Sequence, residues 1–216
     1  ERREIEVLRN LSFEIHEGER VAIVGSSGAG KSTLLHLLGV LDLPTSGEIY
    51  FKDEALSQKS SEELARFRNK HLGFIFQFHY LLPEFTAIEN VLMPLKVNGV
   101  KITKEKLDRA NELMDFVGLE GVKDNLANNM SGGQQQRIAF ARALAKNPTV
   151  ILADEPTGNV DSKTTIELMN ILQNISLTKL VIMVTHEQKL ADHYADRVIE
   201  IHNGSVIKDF KNEKLL

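Results

Sequence analysis

The stretch Arg20-Val21-Ala22-Ile23-Val24-Gly25-Ser26-Ser27-Gly28-Ala29-Gly30-Lys31-Ser32-Thr33 decides the fold. Its first five residues read as a buried strand, because an apolar run closed by glycine suits a strand covered on both faces. From Gly25 onward it fits G-x-x-x-x-G-K-[ST], and a helix should follow from Lys31 to about Leu38. Glycines let the backbone curl until successive N–H groups converge on phosphate oxygens, and the new helix adds its positive end. Lys31 offers a mobile cation to β- and γ-phosphates, and Ser32 offers a hydroxyl to Mg²⁺.

Val150-Ile151-Leu152-Ala153-Asp154-Glu155 supplies the complement. A buried strand would deliver Asp154 at its end to hold Mg²⁺, while Glu155 could orient and deprotonate an attacking water. Four apolar residues before two acids are weak evidence in isolation, since many strands meet solvent that way. Behind a good phosphate loop the chemical reading is favoured.

Outward from these two strands, apolar periodicity alternates between two and 3.6, the pattern of an α/β protein. Residues 4–15 read as one or two short strands, and 48–51 as another. Ser60-x-x-Glu63 is a capping box opening a short helix, followed by a strand from Leu72 to Phe76. Thr86-x-x-Glu89 opens another helix, expected to break near Pro94. Leu107, Ala110, Leu113, Met114 and Val117 mark the apolar face of a helix over 104–117, closed by Gly118. A further helix is expected over 132–146. Residues 78–147 thus read as a mostly helical insert in a single domain spanning 1–216, whose core is formed by 1–77 and 148–216. Beyond it come a strand over 149–153, a helix over 162–175 and a strand over 179–184. Strands over 197–202 and 205–208 then meet at Asn203-Gly204, a type I′ hairpin signal.

Ser131-Gly132-Gly133-Gln134 begins the helix over 132–146. Ser131 and Gln134 form a capping box, but capping does not explain two glycines in a first turn, each costing up to ~1 kcal/mol of helix propensity. Bare N–H groups beside a Ser hydroxyl make a second anion site.

With these motifs in place the chain resembles the nucleotide-binding subunit of an ABC transporter, over essentially its whole length. The resemblance implies a P-loop NTPase (RecA-like) α/β core with an antiparallel β subdomain and an inserted α-helical signature subdomain. It implies an ATPase using ATP and Mg²⁺, with Gly25, Ser26, Ser27, Gly28, Ala29, Gly30, Lys31, Ser32 and Thr33 around the phosphates. It also implies head-to-tail homodimers, each ATP lying between one subunit's phosphate loop and the partner's Ser131, Gly132, Gly133 and Gln134. Carried over by position, Gln77 is the glutamine touching Mg²⁺ or the water, His186 the switch histidine on the γ-phosphate, and Asp161 an interface residue. Ser32, Gln77 and Asp154 form the implied metal set; Glu155, His186 and Gln77 form the catalytic one. Asp161 can also cap the next helix. The family stacks adenine on an upstream aromatic. Phe13 is the one aromatic before Gly25, patterned as buried, so that residue is expected before Glu1, where the absence of Met reads as a trimmed start.

Residues 77–90, Gln-Phe-His-Tyr-Leu-Leu-Pro-Glu-Phe-Thr-Ala-Ile-Glu-Asn, are similar to the lipoprotein-releasing (Lol) branch, as is Leu34-Leu35-His36-Leu37-Leu38-Gly39. The sequence departs from that branch at residues 127–130 and at Gln134-Gln135. The branch implies a peripheral protein on the cytoplasmic face of a bacterial inner membrane, with integral subunits contacting Phe78 to Asn90. Macrolide-efflux and cell-division relatives, and a soluble ATPase acting on nucleic acid, are the alternatives. Phe78, Tyr80, Leu81, Leu82 and Phe85 are too apolar for an ordinary loop, and fit either a satellite core or a partner's groove.

Composition agrees. Lys+Arg 26 against Asp+Glu 30 leaves a net charge of −4, so no general basic field invites nucleic acid or anionic lipid. The absence of Cys removes thiol catalysis and zinc–thiolate clusters. The longest apolar run, Leu180 to Val184, is far short of the roughly 20 residues that span a bilayer.

Overall fold

Along Arg20–Val24 (β1), Ala22 and Val24 enter one apolar core while Val21 and Ile23 enter another. Val150–Asp154 (β5) and Leu180–Thr185 (β6) alternate in the same way, with Ile151, Ala153, Val181 and Met183 on the first side. Their continuous apolar runs are therefore the mark of a sheet buried on both faces. The computed structural model describes residues 5–96, 101–158 and 160–212.

The main sheet has the order β4-β5-β6-β1-β7-β8, where β4 is Leu72–Ile75, β7 Arg197–His202 and β8 Ser205–Lys211. Strands β4 to β7 pair in parallel, and only β7–β8 is antiparallel. Register matters more than order for function. Val24 lies opposite Thr185, Asp154 opposite Val184, and Ile75 opposite Ala153, so four strands finish level at their carboxyl ends. Such an edge is where open parallel sheets bind ligands.

Helices Lys31–Leu38 (α1), Ser61–His71 (α2), Ala87–Lys96 (α3), Lys104–Phe116 (α4), Gly132–Leu144 (α5), Ser162–Ser176 (α6) and Gln188–Tyr194 (α7) complete the chain, with Tyr50–Phe51 (β2) and Glu54–Ala55 (β3). Helices α3, α4 and α5 pack together between β4 and β5 in sequence. Both expected capping boxes at Ser60 and Ser131 form, with each side chain and backbone N–H satisfied reciprocally. The Thr86–Glu89 pair does the same: Glu89 Oε2 accepts from Thr86 N at 2.9 Å, and Thr86 Oγ1 accepts from Glu89 N at 3.3 Å. Asn203 (φ 47) and Gly204 (φ 78) make the type I′ turn between β7 and β8.

Several expectations need correction. Residues 5–15 form no strand; residue 4 lies outside the described residues. Leu8, Leu11, Phe13 and Ile15 do pack against the core, which accounts for their apolar pattern. But Arg9 N donates to the Gly204 carbonyl of the hairpin turn at 2.8 Å, and Asn10 has φ 46, which breaks extended geometry. The antiparallel part of this region therefore reduces, among the described residues, to the ribbon β2–β3. Pro94 does not break α3, which runs on to Lys96. It forfeits one backbone bond, while burial of Val91 and Leu92 holds the helix against the core. Leu107 is exposed on α4 although Ala110, Leu113, Met114 and Val117 are buried as expected. Helix α7 is too short and too mixed to show a period, and β8 extends three residues past Lys208.

The start of β1 is tied to the loop before β7. Arg20 grips Asp196 in two prongs, Nε to Oδ2 at 2.9 Å and Nη2 to Oδ1, while Arg20 N also donates to Oδ2 at 3.2 Å. These hydrogen bonds hold the Asp196 carboxyl below its usual range and push the Arg20 guanidinium up. An acid depressed on folding contributes stability that is lost as pH falls through its folded value. Asp196→Asn should therefore lower stability at pH 7 by about 1 kcal/mol, since the pair is partly exposed. Urea midpoints should show the gap to wild type closing as pH falls below the ordinary carboxylate range.

Candidate nucleotide and hydrolysis site

Four level strand ends bring the expected site residues to one edge. After β1 the loop turns through Gly30 at φ 99, a left-handed geometry only glycine adopts easily, to start α1. A Cβ on Gly25 would lie 2.2 Å from the Ile201 carbonyl oxygen, so the loop's first glycine is fixed by close approach of β7. Ser26, Ser27 and Gly28 are exposed, whereas Ala29 anchors the loop in the core. Thr33 is half-buried on the first turn of α1. Lys31 is 8% exposed; its Nζ donates to the carbonyls of Gly25 (2.9 Å) and Ser26 (3.0 Å), folded over the loop it is expected to serve.

Ser32 Oγ donates to Asp154 Oδ1 at 3.1 Å, joining the phosphate loop to the end of β5. Burial pushes the Asp154 carboxyl up from its ordinary range; the Ser32 hydrogen bond opposes this, and neighbouring Glu155 adds to it. Glu155 itself occupies the left-handed region at φ 45, costing of order 1–3 kcal/mol for a residue with a side chain. The surroundings enforce it. Glu155 N donates to the Val184 carbonyl at 2.9 Å, and Glu155 O accepts from Gly158 N at 2.9 Å. The carboxylate is held by the segment after β6: Oε1 accepts from His186 N at 3.0 Å and lies 2.7 Å from His186 Nδ1. His186 is mostly exposed while the Glu155 side chain is only 15% exposed, so the carboxylate is sheltered and its partner is free to turn outward.

Gln77, just past β4, packs beside the turn that follows Glu155: a Cβ on Gly158 would lie 2.9 Å from Gln77 Cγ. Asp161 caps α6, accepting from Lys163 N and Thr164 N at 3.0 Å each; Asn159, inside the same motif, lies outside the described residues. Ser131, Gly132, Gly133 and Gln134 open α5 beside α6. The two glycines have different reasons. A Cβ on Gly133 would meet Thr164 Cγ2 at 2.8 Å, so close helix packing requires it. A Cβ on Gly132 would meet nothing within 4 Å, so nothing inside the described chain requires that glycine. Among the described residues, no hydrogen bond or ion pair joins this motif to the phosphate loop.

The apolar stretch after Gln77 divides. Leu81 packs against the core, Phe85 is half-buried, and Phe78, Tyr80 and Leu82 are exposed. Buried Asn90 organises the backbone here, with Oδ1 accepting from Leu82 N at 2.8 Å and Nδ2 donating to the Leu82 carbonyl at 3.1 Å. Two residues of α5 escaped the sequence reading. Gln136 is fully buried, and Arg142 donates to the carbonyls of His79 (2.6 Å) and Tyr80 (2.7 Å). The signal was a run of three glutamines entering an otherwise apolar helix, but sequence alone cannot say which one turns inward.

The ABC transporter family pattern matches residues 8–158. The lipoprotein-releasing system ATP-binding protein LolD 1 of Chlorobium chlorochromatii is 48% identical over 205 residues, 94% of this chain and 83% of that protein. LolD of Cytophaga hutchinsonii is 46% identical over 205 residues, 94% of this chain and 93% of that protein. Among solved structures, the ATP-binding cassette MJ0796, in a dimeric post-hydrolysis state bound to ADP and Pi, superposes with a TM-score of 0.87. It is 40% identical, over 96% of this chain and 91% of that one. Sequence, fold and site geometry agree, and this chain belongs to the ABC transporter family.

Proposed function

We propose that the chain is the ATP-binding and ATP-hydrolysing subunit of a transporter that releases lipoproteins from a bacterial inner membrane. The observation carrying the chemistry is the Ser32–Asp154 contact at 3.1 Å, with Glu155 next in sequence and gripped by His186. The cargo reading is supported by relatives named for lipoprotein release at 48% and 46% identity.

Backbone N–H groups of the phosphate loop and the start of α1 bind the phosphates, and Lys31 supplies the cation that follows their charge. Ser32 and Asp154 are hard oxygen donors, the type Mg²⁺ prefers, and Gln77 stands beside the same turn. Among the described residues no cluster of three or more His, Cys, Asp or Glu could cage a metal, which suits an ion shared with phosphates. When bound, Mg²⁺ offsets the charge on the β- and γ-phosphate oxygens. Glu155 accepts the proton of the attacking water, and His186, hydrogen-bonded to it, is placed to reach the γ-phosphate.

In this reading the subunit acts as a head-to-tail homodimer, with Ser131, Gly132, Gly133 and Gln134 of each subunit closing on the other's ATP beside Asp161. The open space at Gly132 supports it, because a ligand explains a glycine that internal packing does not. No helix among the described residues is long and apolar enough to cross a membrane, so coupling to transport would pass through integral subunits. Exposed Phe78, Tyr80 and Leu82, with half-buried Phe85, form the proposed receiver beside Gln77, at the cytoplasmic face of the inner membrane.

Lys31→Ala should weaken ATP binding and abolish turnover. Glu155→Gln should retain binding while turnover falls by about 100-fold or more, measured by phosphate release and nucleotide titration. Rapid turnover by Glu155→Gln would remove Glu155 as the base.

With ATP, Glu155→Gln should dimerise in light scattering, and adding Ser131→Arg should block that dimer. Gly132→Ala should also weaken it while stabilising the isolated chain by up to ~1 kcal/mol through helix propensity. Gly133→Ala should instead destabilise by about 1–3 kcal/mol through overpacking on Thr164. An unchanged mass with and without ATP would count against the sandwich.

Leu82→Ala or Phe85→Ala should leave ATP binding by the isolated subunit near normal but impair assembly with the membrane subunits, by about 2 kcal/mol at a hot spot. Co-purification and lipoprotein release from reconstituted vesicles should fall together; normal assembly by both variants would exclude this surface.

A further inference from the structure

Gln136 is 0% exposed, on the second turn of α5, and its side chain crosses to two other segments. Its Nε2 donates to the Pro156 carbonyl at 2.7 Å and reaches the Phe76 carbonyl at 3.4 Å. Pro156 directly follows Glu155, and Phe76 directly precedes Gln77. One amide from the helix that begins with Ser131-Gly132-Gly133 therefore holds the backbone beside both the proposed base and the glutamine proposed to stand at the Mg²⁺.

The far end of the same amide is unusual. Gln136 Oε1 is buried with only a weak partner, the His79 ring, whose Nδ1 is buried as well. The His79 ring lies beside the Gln136 side chain and the Gly132 backbone, and Arg142 holds the His79 carbonyl from the same helix. A methionine has a similar shape, but it would leave the buried Pro156 carbonyl without this donor, a loss of about 1–3 kcal/mol that is partly offset by removing the poorly satisfied Gln136 oxygen. Among the described residues, the amide is thus the one link from this turn of α5 to the backbone on both sides of it, after Glu155 and before Gln77.

We propose that Gln136 is a positioning residue for hydrolysis, a strut that fixes the Glu155 and Gln77 backbones to the helix presenting the nucleotide-closing motif. It touches no substrate. It acts through Glu155, whose left-handed backbone leaves little tolerance for a shift of the Pro156 peptide. A motion of α5 on closing over nucleotide thereby reaches the base of the same subunit. This rests on the ATPase reading above.

The test uses the full chain and four proteins: wild type, Gln136→Met, Glu155→Gln and the double variant. Thermal melting, ATP dissociation constants and single-turnover phosphate release are measured for each. Gln136→Met should melt a few degrees below wild type and bind ATP within about twofold, yet lose at least about tenfold in kcat with KM unchanged. In the Glu155→Gln background the same change should cost almost nothing, because the strut acts through that carboxylate. Wild-type turnover by Gln136→Met overturns the proposal. So does an equal loss in both backgrounds, or a parallel loss of binding and rate, since either describes a general structural defect. If Gln136→Met does not fold, Gln136→Asn replaces it; one methylene shorter, it keeps a neutral amide at the site but cannot reach Pro156, and the same comparisons apply. Failure of both variants to fold assigns Gln136 to the core and overturns the proposal. If wild type itself does not hydrolyse ATP, the ATPase reading fails first, whatever Gln136 does.

Discussion

A single hydrogen bond, from Ser32 Oγ to Asp154 Oδ1, spans 122 residues of chain, and the chemistry depends on what makes it possible. Strand β6 stands between β1 and β5, and all three are parallel. Parallel pairing aligns their carboxyl ends, so whatever follows each strand gathers on one edge. The phosphate loop follows β1, Asp154 closes β5, and His186 follows β6. A register slip of one residue would turn each of these side chains to the other face of the sheet and disperse the group. Burial on both faces forbids the slip, because alternate residues of β1, β5 and β6 fill two different cores. Specificity of the site is thus inherited from hydrophobic packing several residues away.

Around this edge the backbone takes left-handed conformations, one of which it would not choose. Gly30 and Glu155 both have positive φ, one at the start of α1 and one at the end of β5. The glycine adopts this freely; the glutamate does not, and it is retained by bonds to Val184, Gly158 and His186. Strain kept by surrounding structure at Glu155 fits its proposed role as a base whose position has to be fixed. Helix α5 adds a second layer of control. Its first turn carries the exposed glycine motif, its second turn carries buried Gln136, and Arg142 near its end grips the segment following Gln77.

The motifs were legible because their chemistry demands particular residues at particular spacings. Phosphate cradling needs glycines before Lys31, and capping boxes need Ser60 and Ser131 three residues before Glu63 and Gln134. Strands β1, β5 and β6 followed from short continuous apolar runs, and α1 from the phosphate-loop motif that precedes it. The misreadings share a cause. In residues 5–15 alternating apolar side chains do pack inward, but a strand also needs a neighbour for its backbone, and Arg9 finds a turn instead. At Pro94 local chemistry argued for a break, and tertiary packing of α3 prevailed. Gln136 escaped notice because polar and apolar neighbours on one helix look alike until the other segments are in place.

By itself, the sequence determined which chemistry the chain can carry: a lysine and serine after a glycine loop, an Asp-Glu pair after a buried strand, and a capped helix opening with two glycines. These are local properties, set by backbone sterics and side-chain type within a few residues. Only the tertiary structure decided that Asp154 meets Ser32, that Glu155 is turned to His186, and that Gly133 is required by Thr164 while Gly132 is not. Those outcomes depend on strand order, register and helix contact between residues far apart in the chain. Such contacts are fixed by the packing of the whole core, which local pattern cannot encode.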